Sequence, residues 1–270
     1  MSASSSTVLD RILAETRAEL ERRKRDPAGA AIGEGAAIGQ APLRERPDRR
    51  PFRDALAAPG IGVIAEFKRR SPSAGTLHES PQLGEIVSAY AAGGAVAISV
   101  LTEGPNFGGE LADLQAARAA CPLPLLRKDF IVDPFQLREA RAAGADAVLL
   151  IVAALSAPEL VRLYAGAREL DLDVLVEVHD ERELATALAA GAEIVGVNNR
   201  DLRDFSVDVT RTERLMDAMP EGVLVVSESG IATPQQLERL QQRGLDAVLV
   251  GEALMRADDP AAALRALKKF

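Results

Sequence analysis

The amino-acid sequence predicts an α/β fold, a (β/α)8 TIM barrel with an extra N-terminal helix. Eight short apolar runs, each followed by a helical pattern, begin roughly 20 to 33 residues apart, which is the spacing of a βα repeat. The runs are nearly continuous in Val, Ile, Leu and Ala, as is typical of parallel strands covered by helices. An open doubly wound sheet is the alternative, but no G-x-G-x-x-G turn follows the first run.

The chain is predicted to begin with a helix and a linker that lie outside the repeat. The segment 8–24 places three leucines on one helical face among many charges, namely Leu9, Leu13 and Leu20. We expect this helix either to plug the bottom of the barrel or to form a lid near the active site. Residues 26–50 are rich in Gly, Ala, Pro and Arg, which indicates a flexible surface linker. The predicted domains are therefore 1–50, helix and linker, and 51–270, the barrel.

The barrel strands follow in order, and each is bounded by recognisable helix signals. They are predicted near residues 62–67, 95–101, 124–128, 147–152, 173–178, 194–198, 223–228 and 247–251. Several helices end in Gly just before a strand, as at Gly144, Gly191 and Gly244, where a residue without Cβ suits a left-handed cap. Asp133 and Asp180 precede helices and are suited to cap them.

Composition limits the possible functions. Apolar residues make up 47% of the 270, and no apolar run is long enough to span a membrane. The formal net charge of -8 argues against a nucleic-acid surface, which is normally basic. Cys121 is the lone cysteine, so a disulfide or a cysteine zinc site within the chain is not expected, and we interpret it as a structural thiol. Because residues 1–6 do not resemble a signal sequence, we expect a cytoplasmic protein. We also expect a monomer that has no membrane or nucleic-acid partner.

The strand ends carry the residues that point to chemistry. Side chains alternate along a strand, so Glu66 and Lys68 would face the barrel while Ala65 and Phe67 face the helices. The active site of such a barrel lies at the C-terminal ends of its strands. One ring there would gather Glu66, Lys68, Lys128, Glu177, Asn198 and Glu228. This ring could supply a general acid, a general base and electrostatic stabilisation, or it could be a structural layer of ion pairs.

Two further patterns indicate a site for a phosphate group and a slot for a flat ring. Ser229-Gly230 follows the seventh strand and Gly251 ends the eighth, where such barrels often bind phosphate, and Ser71 follows the first. Phe107, Phe130 and Leu149 could form an apolar slot for a flat ring, although core packing explains them nearly as well. His78 and His179 show no metal or triad pattern, and we expect neither to be catalytic. We expect no metal and no organic cofactor.

These motifs closely resemble those of the indole-3-glycerol-phosphate synthase family, in order along the whole chain. The matching segments are 64–73 (IAEFKRRSPS), 99–103 (SVLTE) with 107–109 (FGG), 126–131 (LRKDFI), 175–179 (LVEVH), 196–202 (GVNNRDL) and 227–231 (SESGI). The N-terminal helix is also similar to one that this family carries. The resemblance implies closure of the indole ring of 1-(2-carboxyphenylamino)-1-deoxyribulose 5-phosphate, with loss of carbon dioxide and water, in tryptophan biosynthesis.

The resemblance also implies roles for individual residues. Lys128 would donate a proton to the ribulose carbonyl, and Lys68, Glu66 and Glu177 would share the acid and base tasks of dehydration. Asn198, Arg200 and Glu228 would orient sugar hydroxyls and lysines. The anthranilate slot would comprise Pro72, Phe107, Phe130 and Leu149. The phosphate site would comprise Ser71, Ser229, Gly230, Gly251 and the amide of Glu252, near Lys68.

The chain departs from the family pattern at two positions near the phosphate. Ala74 stands where lysine is frequent, and Glu252 stands where a small hydroxyl residue is common, so we expect the Glu252 carboxylate to turn away. Two other functions are alternatives on the same fold. The preceding isomerase of the pathway would need a cysteine and aspartate pair, and Cys121 lies on the wrong side of its strand. A non-catalytic phosphate-sugar binder would have no need of the lysine and glutamate ring.

Overall fold

The computed structural model describes residues 7–25, 46, 48–78, 81–201 and 206–269. Eight parallel strands form a closed barrel in which each strand pairs with its neighbour along the chain and the last pairs with the first. The barrel strands are β1 (Gly62–Phe67), β4 (Ala97–Leu101), β5 (Leu125–Lys128), β6 (Ala147–Ile151), β7 (Asp173–Val178), β8 (Ile194–Asn198), β9 (Leu224–Glu228) and β10 (Ala247–Val250). The remaining strands, β2 (Arg70–Ser71) and β3 (Gly75–Thr76), pair as a small antiparallel hairpin after β1.

Closure of the sheet confirms the predicted fold and excludes the open alternative. Ile64 of β1 pairs with Ala97 on one side and with Leu249 on the other, so β1 has no free edge. The predicted strands are all present, and their ends differ from the observed ones by at most two residues. The hairpin of β2 and β3 was not predicted, because strands of two residues are too short to show an alternating pattern.

Helices alternate with the strands and cover the outside of the barrel. Those described are α1 (Val8–Arg25), α2 (Phe52–Leu56), α3 (Leu83–Gly93), α4 (Leu111–Ala120), α5 (Pro134–Ala142), α6 (Ala157–Glu169), α7 (Glu181–Ala189), α8 (Thr210–Met216), α9 (Pro234–Gln242), α10 (Glu252–Met255) and α11 (Pro260–Leu267), with a 3-10 turn at Val152–Ala154. The Asp133 and Asp180 side chains accept backbone N–H groups at the starts of α5 and α7, as predicted. Gly144 and Gly191 adopt positive φ at the helix–strand joins.

Side-chain alternation along the strands divides the core into two layers. Ala65 and Phe67 belong to the outer layer, between the sheet and the helices, as predicted from their parity. Ile64, Leu126 and Leu249 belong to the inner layer, which fills the barrel. At the C-terminal ends of the strands, polar side chains replace this apolar inner layer.

The N-terminal helix lies over the C-terminal face of the barrel, as a lid would. Leu9, Leu13 and Leu20 are buried against the inner layer. Lys24 pairs with Asp133, the residue that follows β5 and caps α5, with 2.7 Å between Nζ and Oδ2. The opposite face is covered instead by α2, whose backbone N–H groups bind Asp173 at the start of β7. Residues 26–45 and 47 of the predicted linker lie outside the described residues, so the division at residue 50 stays a prediction.

Candidate active site

A cavity of about 390 Å³ opens at the C-terminal ends of the barrel strands. It is large enough for a small organic ligand. Every residue that the sequence analysis selected lines it. The polar ring comprises Glu66, Lys68, Lys128, Glu177, Asn198 and Glu228. The other lining residues predicted from sequence are Ser71, Pro72, Phe107, Phe130, Leu149, Arg200, Ser229, Gly230, Gly251 and Glu252.

Lys128, at the end of β5, lies between two carboxylates contributed by other strands. Its Nζ is 3.0 Å from Glu228 Oε2 and 3.4 Å from Glu177 Oε2. Burial alone would lower the pKa of Lys128, but the negative charges of Glu228 and Glu177 raise it above its usual value. Lys128 is therefore a buried ammonium that holds its proton in the free protein.

Glu177, at the end of β7, is held by groups that favour its ionised form. Asn198 Nδ2 donates to Glu177 Oε1 at 3.1 Å, and Lys128 donates to Oε2. The Asn198 amide is itself fixed, because its Oδ1 accepts the backbone N–H of Arg200 at 3.0 Å. Burial would raise the pKa of Glu177, but Lys128, His179 and the Asn198 hydrogen bond lower it below its usual value.

Glu228, at the end of β9, has the opposite environment. Both its carboxylate oxygens are buried and neither receives an aligned hydrogen bond, although Lys128 is within ion-pair distance. Burial raises the pKa of Glu228 to about 7, since the attraction of Lys128 only partly offsets desolvation. Gly196 of β8 makes room for this side chain, because a Cβ there would clash with Glu228 Oε1. Glu228 can therefore gain or lose a proton near neutral pH.

Lys68 and Glu66 form a second ion pair in the mouth, at the end of β1. Lys68 Nζ lies 2.5 Å from Glu66 Oε1, and the Glu66 side chain is almost wholly buried. Gly251, after β10, allows this approach, because a Cβ at that position would meet Glu66 Oε1 and Lys68 Nζ. The pair places an ammonium between the ring of carboxylates and the loops that follow β9 and β10.

Apolar side chains form one wall of the cavity. The rings of Phe107 and Phe130 lie 6.3 Å apart at an interplanar angle of 38°, and Leu149 is buried beside them in the inner layer. Glu103 fixes the loop of Phe107 by accepting its backbone N–H at 2.9 Å. Asn106 in the same loop donates to Glu15 of α1 at 3.1 Å, which ties the N-terminal helix to this wall. The wall has the shape and polarity for a flat aromatic ring.

The loops after β1, β9 and β10 meet at the other end of the cavity. Ser229 and Gly230 both have positive φ, of 63° and 81°, which is uncommon for serine and marks a tight turn that faces the cavity. Ser71 accepts the backbone N–H of Ala74 at 3.2 Å and also lines the cavity. Hydroxyl and backbone N–H groups at this end, with Lys68 nearby, suit a phosphate group.

The sequence analysis missed two side chains near the site. Arg256 lines the cavity, and its Nε lies 3.3 Å from Glu252 Oε1, so it compensates the carboxylate that was expected to repel phosphate. The sequence signal that could have identified Arg256 is its four-residue spacing from Glu252, which brings two side chains together across one helical turn. His179 contacts both Glu177 and Glu183. In the sequence, only its position two residues after Glu177, which places both side chains on the same side of an extended chain, indicated the contact with Glu177.

Membrane-spanning helices and metal-binding clusters are both absent from the described residues. No described helix combines the length and the apolar composition needed to cross a bilayer. No cluster of three or more His, Cys, Asp and Glu side chains suited to a metal ion occurs among residues 7–25, 46, 48–78, 81–201 and 206–269.

Comparison with known proteins gives one family over nearly the whole chain. A family model described as "Indole-3-glycerol phosphate synthase" matches residues 9–267. "Indole-3-glycerol phosphate synthase 2" of Streptomyces coelicolor is 48% identical over 262 residues, which cover 97% of this chain and 99% of that protein. "Indole-3-glycerol phosphate synthase" of Parafrankia sp. is 49% identical over 256 residues, or 93% and 91% of the two chains. Among solved structures, "Thiamine phosphate pyrophosphorylase from Pyrococcus furiosus" matches with a TM-score of 0.59 and 20% identity, covering 77% of this chain and 94% of that one, which shows the shared fold alone.

Proposed function

Because the chain belongs to the indole-3-glycerol phosphate synthase family, we propose that the residues of its barrel mouth divide the acid and base steps of indole ring closure among them. The protein is a decarboxylating lyase of tryptophan biosynthesis that forms indole-3-glycerol phosphate. Its substrate is 1-(2-carboxyphenylamino)-1-deoxyribulose 5-phosphate. What the family assignment leaves open is which side chain moves which proton.

Lys128 is the proton donor of the first step. The aromatic carbon that bears the carboxylate attacks the ribulose carbonyl carbon, and Lys128 gives a proton to the carbonyl oxygen, which becomes a hydroxyl. The observation that carries this assignment is the position of Lys128 Nζ between Glu228 and Glu177, beside the apolar wall of the cavity. Both carboxylates keep the ammonium charged until a carbonyl oxygen replaces one of them.

The second and third steps restore the aromatic rings. The bond to the carboxyl carbon breaks, carbon dioxide leaves, and its electron pair returns to the benzene ring. The hydroxyl then leaves as water with a proton from Lys68, and Glu177 removes a proton from the CH2 group next to nitrogen. Glu177 suits the base because its pKa is lowered, so it is ionised at neutral pH. Two protons are donated and one is accepted, so each turnover takes one proton from solvent.

The remaining residues orient the substrate. Phe107, Phe130, Leu149 and Pro72 hold the anthranilate ring against the apolar wall. The phosphate binds the turn at Ser229 and Gly230, together with Ser71, Gly251 and the backbone N–H of Glu252. Lys68 and Arg256 supply positive charge at that end. Asn198 and Arg200 lie between the two ends and contact the sugar hydroxyls.

A fluorescence assay for the indole product tests the role of Lys128. We expect Lys128→Ala to lower kcat by about 10²- to 10⁴-fold, the range for loss of a general acid, while substrate still binds. Lys269→Ala, at an exposed lysine near the C-terminus, is the matched control and keeps full activity. Turnover by folded Lys128→Ala at the rate of the control would contradict the assignment.

The competing interpretation is a binder without turnover. It predicts that the unmodified protein binds the substrate in a calorimeter but forms no fluorescent product. We also propose that the enzyme acts in the cytoplasm as a monomer. Sedimentation at micromolar concentration tests the monomer, and a second species of twice the 28.6 kDa chain mass would contradict it.

A further inference from the structure

We propose that His179 is a positioning residue that decides which of the two glutamates beside Lys128 carries a proton. Glu177 and Glu228 flank the same ammonium, at 3.4 Å and 3.0 Å, so Lys128 alone does not distinguish strongly between them. His179 touches only one of the pair, with 3.4 Å from its Nε2 to Glu177 Oε1. This inference concerns the division of labour within the site proposed above and rests on that site being the catalytic one.

The surroundings of His179 favour its charged form. Its Nδ1 lies 3.0 Å from Glu183 Oε2, and its Nε2 faces Glu177. A neutral imidazole has one N–H and would turn a lone pair toward one of these carboxylates. The imidazolium has an N–H on both nitrogens: Nδ1 is hydrogen-bonded to Glu183, and the buried Nε2, which makes no hydrogen bond with any described residue, contacts Glu177 as a charge. Although burial opposes it, the hydrogen bond with Glu183 and the charge of Glu177 raise the pKa of His179 above its usual value.

Glu183 holds the imidazole in this orientation. Besides the contact with Nδ1, Glu183 Oε2 accepts the backbone N–H of His179 at 2.7 Å. Asp180 caps α7 by accepting the N–H of Glu183, so the residue that orients His179 is itself fixed at the start of a helix. The ring lines a second, polar cavity of about 460 Å³. Further charged groups on that cavity are Asp10, Asp180, Glu181, Asp201, Arg211 and Arg214.

The consequence is an asymmetric pair of carboxylates. Glu177 has His179 and Asn198 in addition to Lys128, and it stays ionised. Glu228 has neither an imidazolium nor an amide, and its pKa is raised to about 7. Two carboxyl groups whose environments separate their pKa values can act as base and as proton carrier in one cycle. Because the imidazolium contributes to that separation, its removal should bring the pKa values of the two carboxyls closer together.

NMR of the two histidines tests the contact without substrate. The chain has only His78 and His179, so His78→Gln, at an exposed loop position, leaves one imidazole to observe. We expect the titration midpoint of His179 to fall by about one pH unit when Glu177→Gln is added, because a neighbouring negative charge is lost. Glu183→Gln should also lower it. The same midpoint with and without Glu177→Gln would overturn the proposal, whatever the activity of either protein.

The pH profile of kcat/KM tests the functional consequence. His179→Gln places an amide donor near the Nε2 position without charge, and His179→Asn lacks the reach. We expect both to move the acidic limb up by about one pH unit, since Glu177 is then harder to ionise. His179→Gln should lose less of kcat than His179→Asn. A uniform loss of kcat at every pH, with the limb unmoved in folded protein, would show a purely structural role and overturn the proposal.

These two measurements separate the inference from the proposed function. If Lys128→Ala turns over normally but the His179 midpoint still depends on Glu177, the site assignment fails and the contact remains. If Lys128→Ala is inactive but neither the midpoint nor the acidic limb responds, the site stands and His179 does not set its protonation.

Discussion

Both ends of the barrel bury carboxylates, and the two ends differ in the hydrogen bonds those carboxylates receive. At the N-terminal ends of the strands, Asp146 accepts both Nη groups of Arg118 at 2.7 and 2.9 Å and the backbone N–H groups of Leu125 and Arg50 at 3.0 Å. At the C-terminal ends, Glu228 has no aligned donor on either oxygen. Residues of the same chemical class therefore stabilise the fold at one end and remain available for a substrate at the other.

Asp173, at the N-terminal end of β7, also accepts hydrogen bonds on both carboxylate oxygens. Its Oδ2 accepts the backbone N–H groups of Phe52 and Arg53 at 3.0 and 3.1 Å, and its Oδ1 accepts Arg168 at 2.7 Å. These contacts attach α2 to the start of β7 and close the bottom of the barrel. Burial of a charge alone therefore does not distinguish the two ends of this barrel, whereas the hydrogen bonds that Asp173 and Glu228 receive do.

The largest expected effect is a loss of stability at the N-terminal ends of the strands. Asp146→Ala should lower the free energy of unfolding by about 3–5 kcal/mol, because Arg118 and Arg46 lose the partner of their buried charges. Urea unfolding measures this loss, and the folded fraction should keep its kcat. Asp48→Ala is the matched control, since Asp48 pairs with the same two arginines but its side chain is 60% exposed, and it should cost about 1 kcal/mol or less. Equal losses for the two variants would break the comparison.

The next effect concerns the space around Glu228. Gly196→Ala should lower kcat/KM about tenfold and stability by about 1–3 kcal/mol, because the added methyl displaces the Glu228 carboxylate. Gly166→Ala, on α6, has only an ordinary 3.5 Å contact with Leu137 and serves as the control. That control should be as active as wild type and slightly more stable. Wild-type activity in Gly196→Ala would show that the position of Glu228 is not critical.

A smaller effect is expected in the pH dependence of stability. The ordinary carboxyl pKa of 4.5 applies to Glu228 in the unfolded chain, and burial raises its pKa to about 7 in the fold. Between these values the folded state keeps a proton that the unfolded state has lost, so this group makes stability fall as pH rises. Unfolding is measured for both proteins at pH 5 and at pH 8. The free energy of unfolding of Glu228→Gln, relative to that of wild type, should be about 1 kcal/mol higher at pH 8 than at pH 5. A gain independent of pH would refute the raised pKa.

The sequence predicted the upper end well because local patterns determine it. Each of the polar residues Glu66, Lys128 and Glu177 ends an apolar run, and parallel strands bring such ends together without further information. The apolar residues and glycine joins likewise fixed the number and order of strands. The family motifs then assigned the substrate.

The lower end and the lid could not be predicted in the same way. Arg46, Arg49 and Arg50 were interpreted as linker, yet they bind Asp146 and Asp173, with Arg49 and Asp173 separated by 124 residues of sequence. Such pairings leave no periodic signal. The position of α1 depended on similarly distant contacts, such as Arg23 with Glu139 at 2.9 Å. His179 was not expected to be catalytic, because the sequence shows no metal or triad pattern around it, and its contacts with Glu177 and Glu183 are visible only in the fold.

The most direct test of the contrast between the two ends is Glu228→Gln measured for turnover and for unfolding in the same preparation. The account predicts that kcat falls by about 10²-fold or more, because the proton donor Lys128 loses the carboxylate that lies 3.0 Å from its Nζ, while the free energy of unfolding at pH 7 is unchanged or higher. A variant that turns over normally but loses stability as Asp146→Ala does would contradict it, because the mouth would then be a structural ion-pair layer like the bottom.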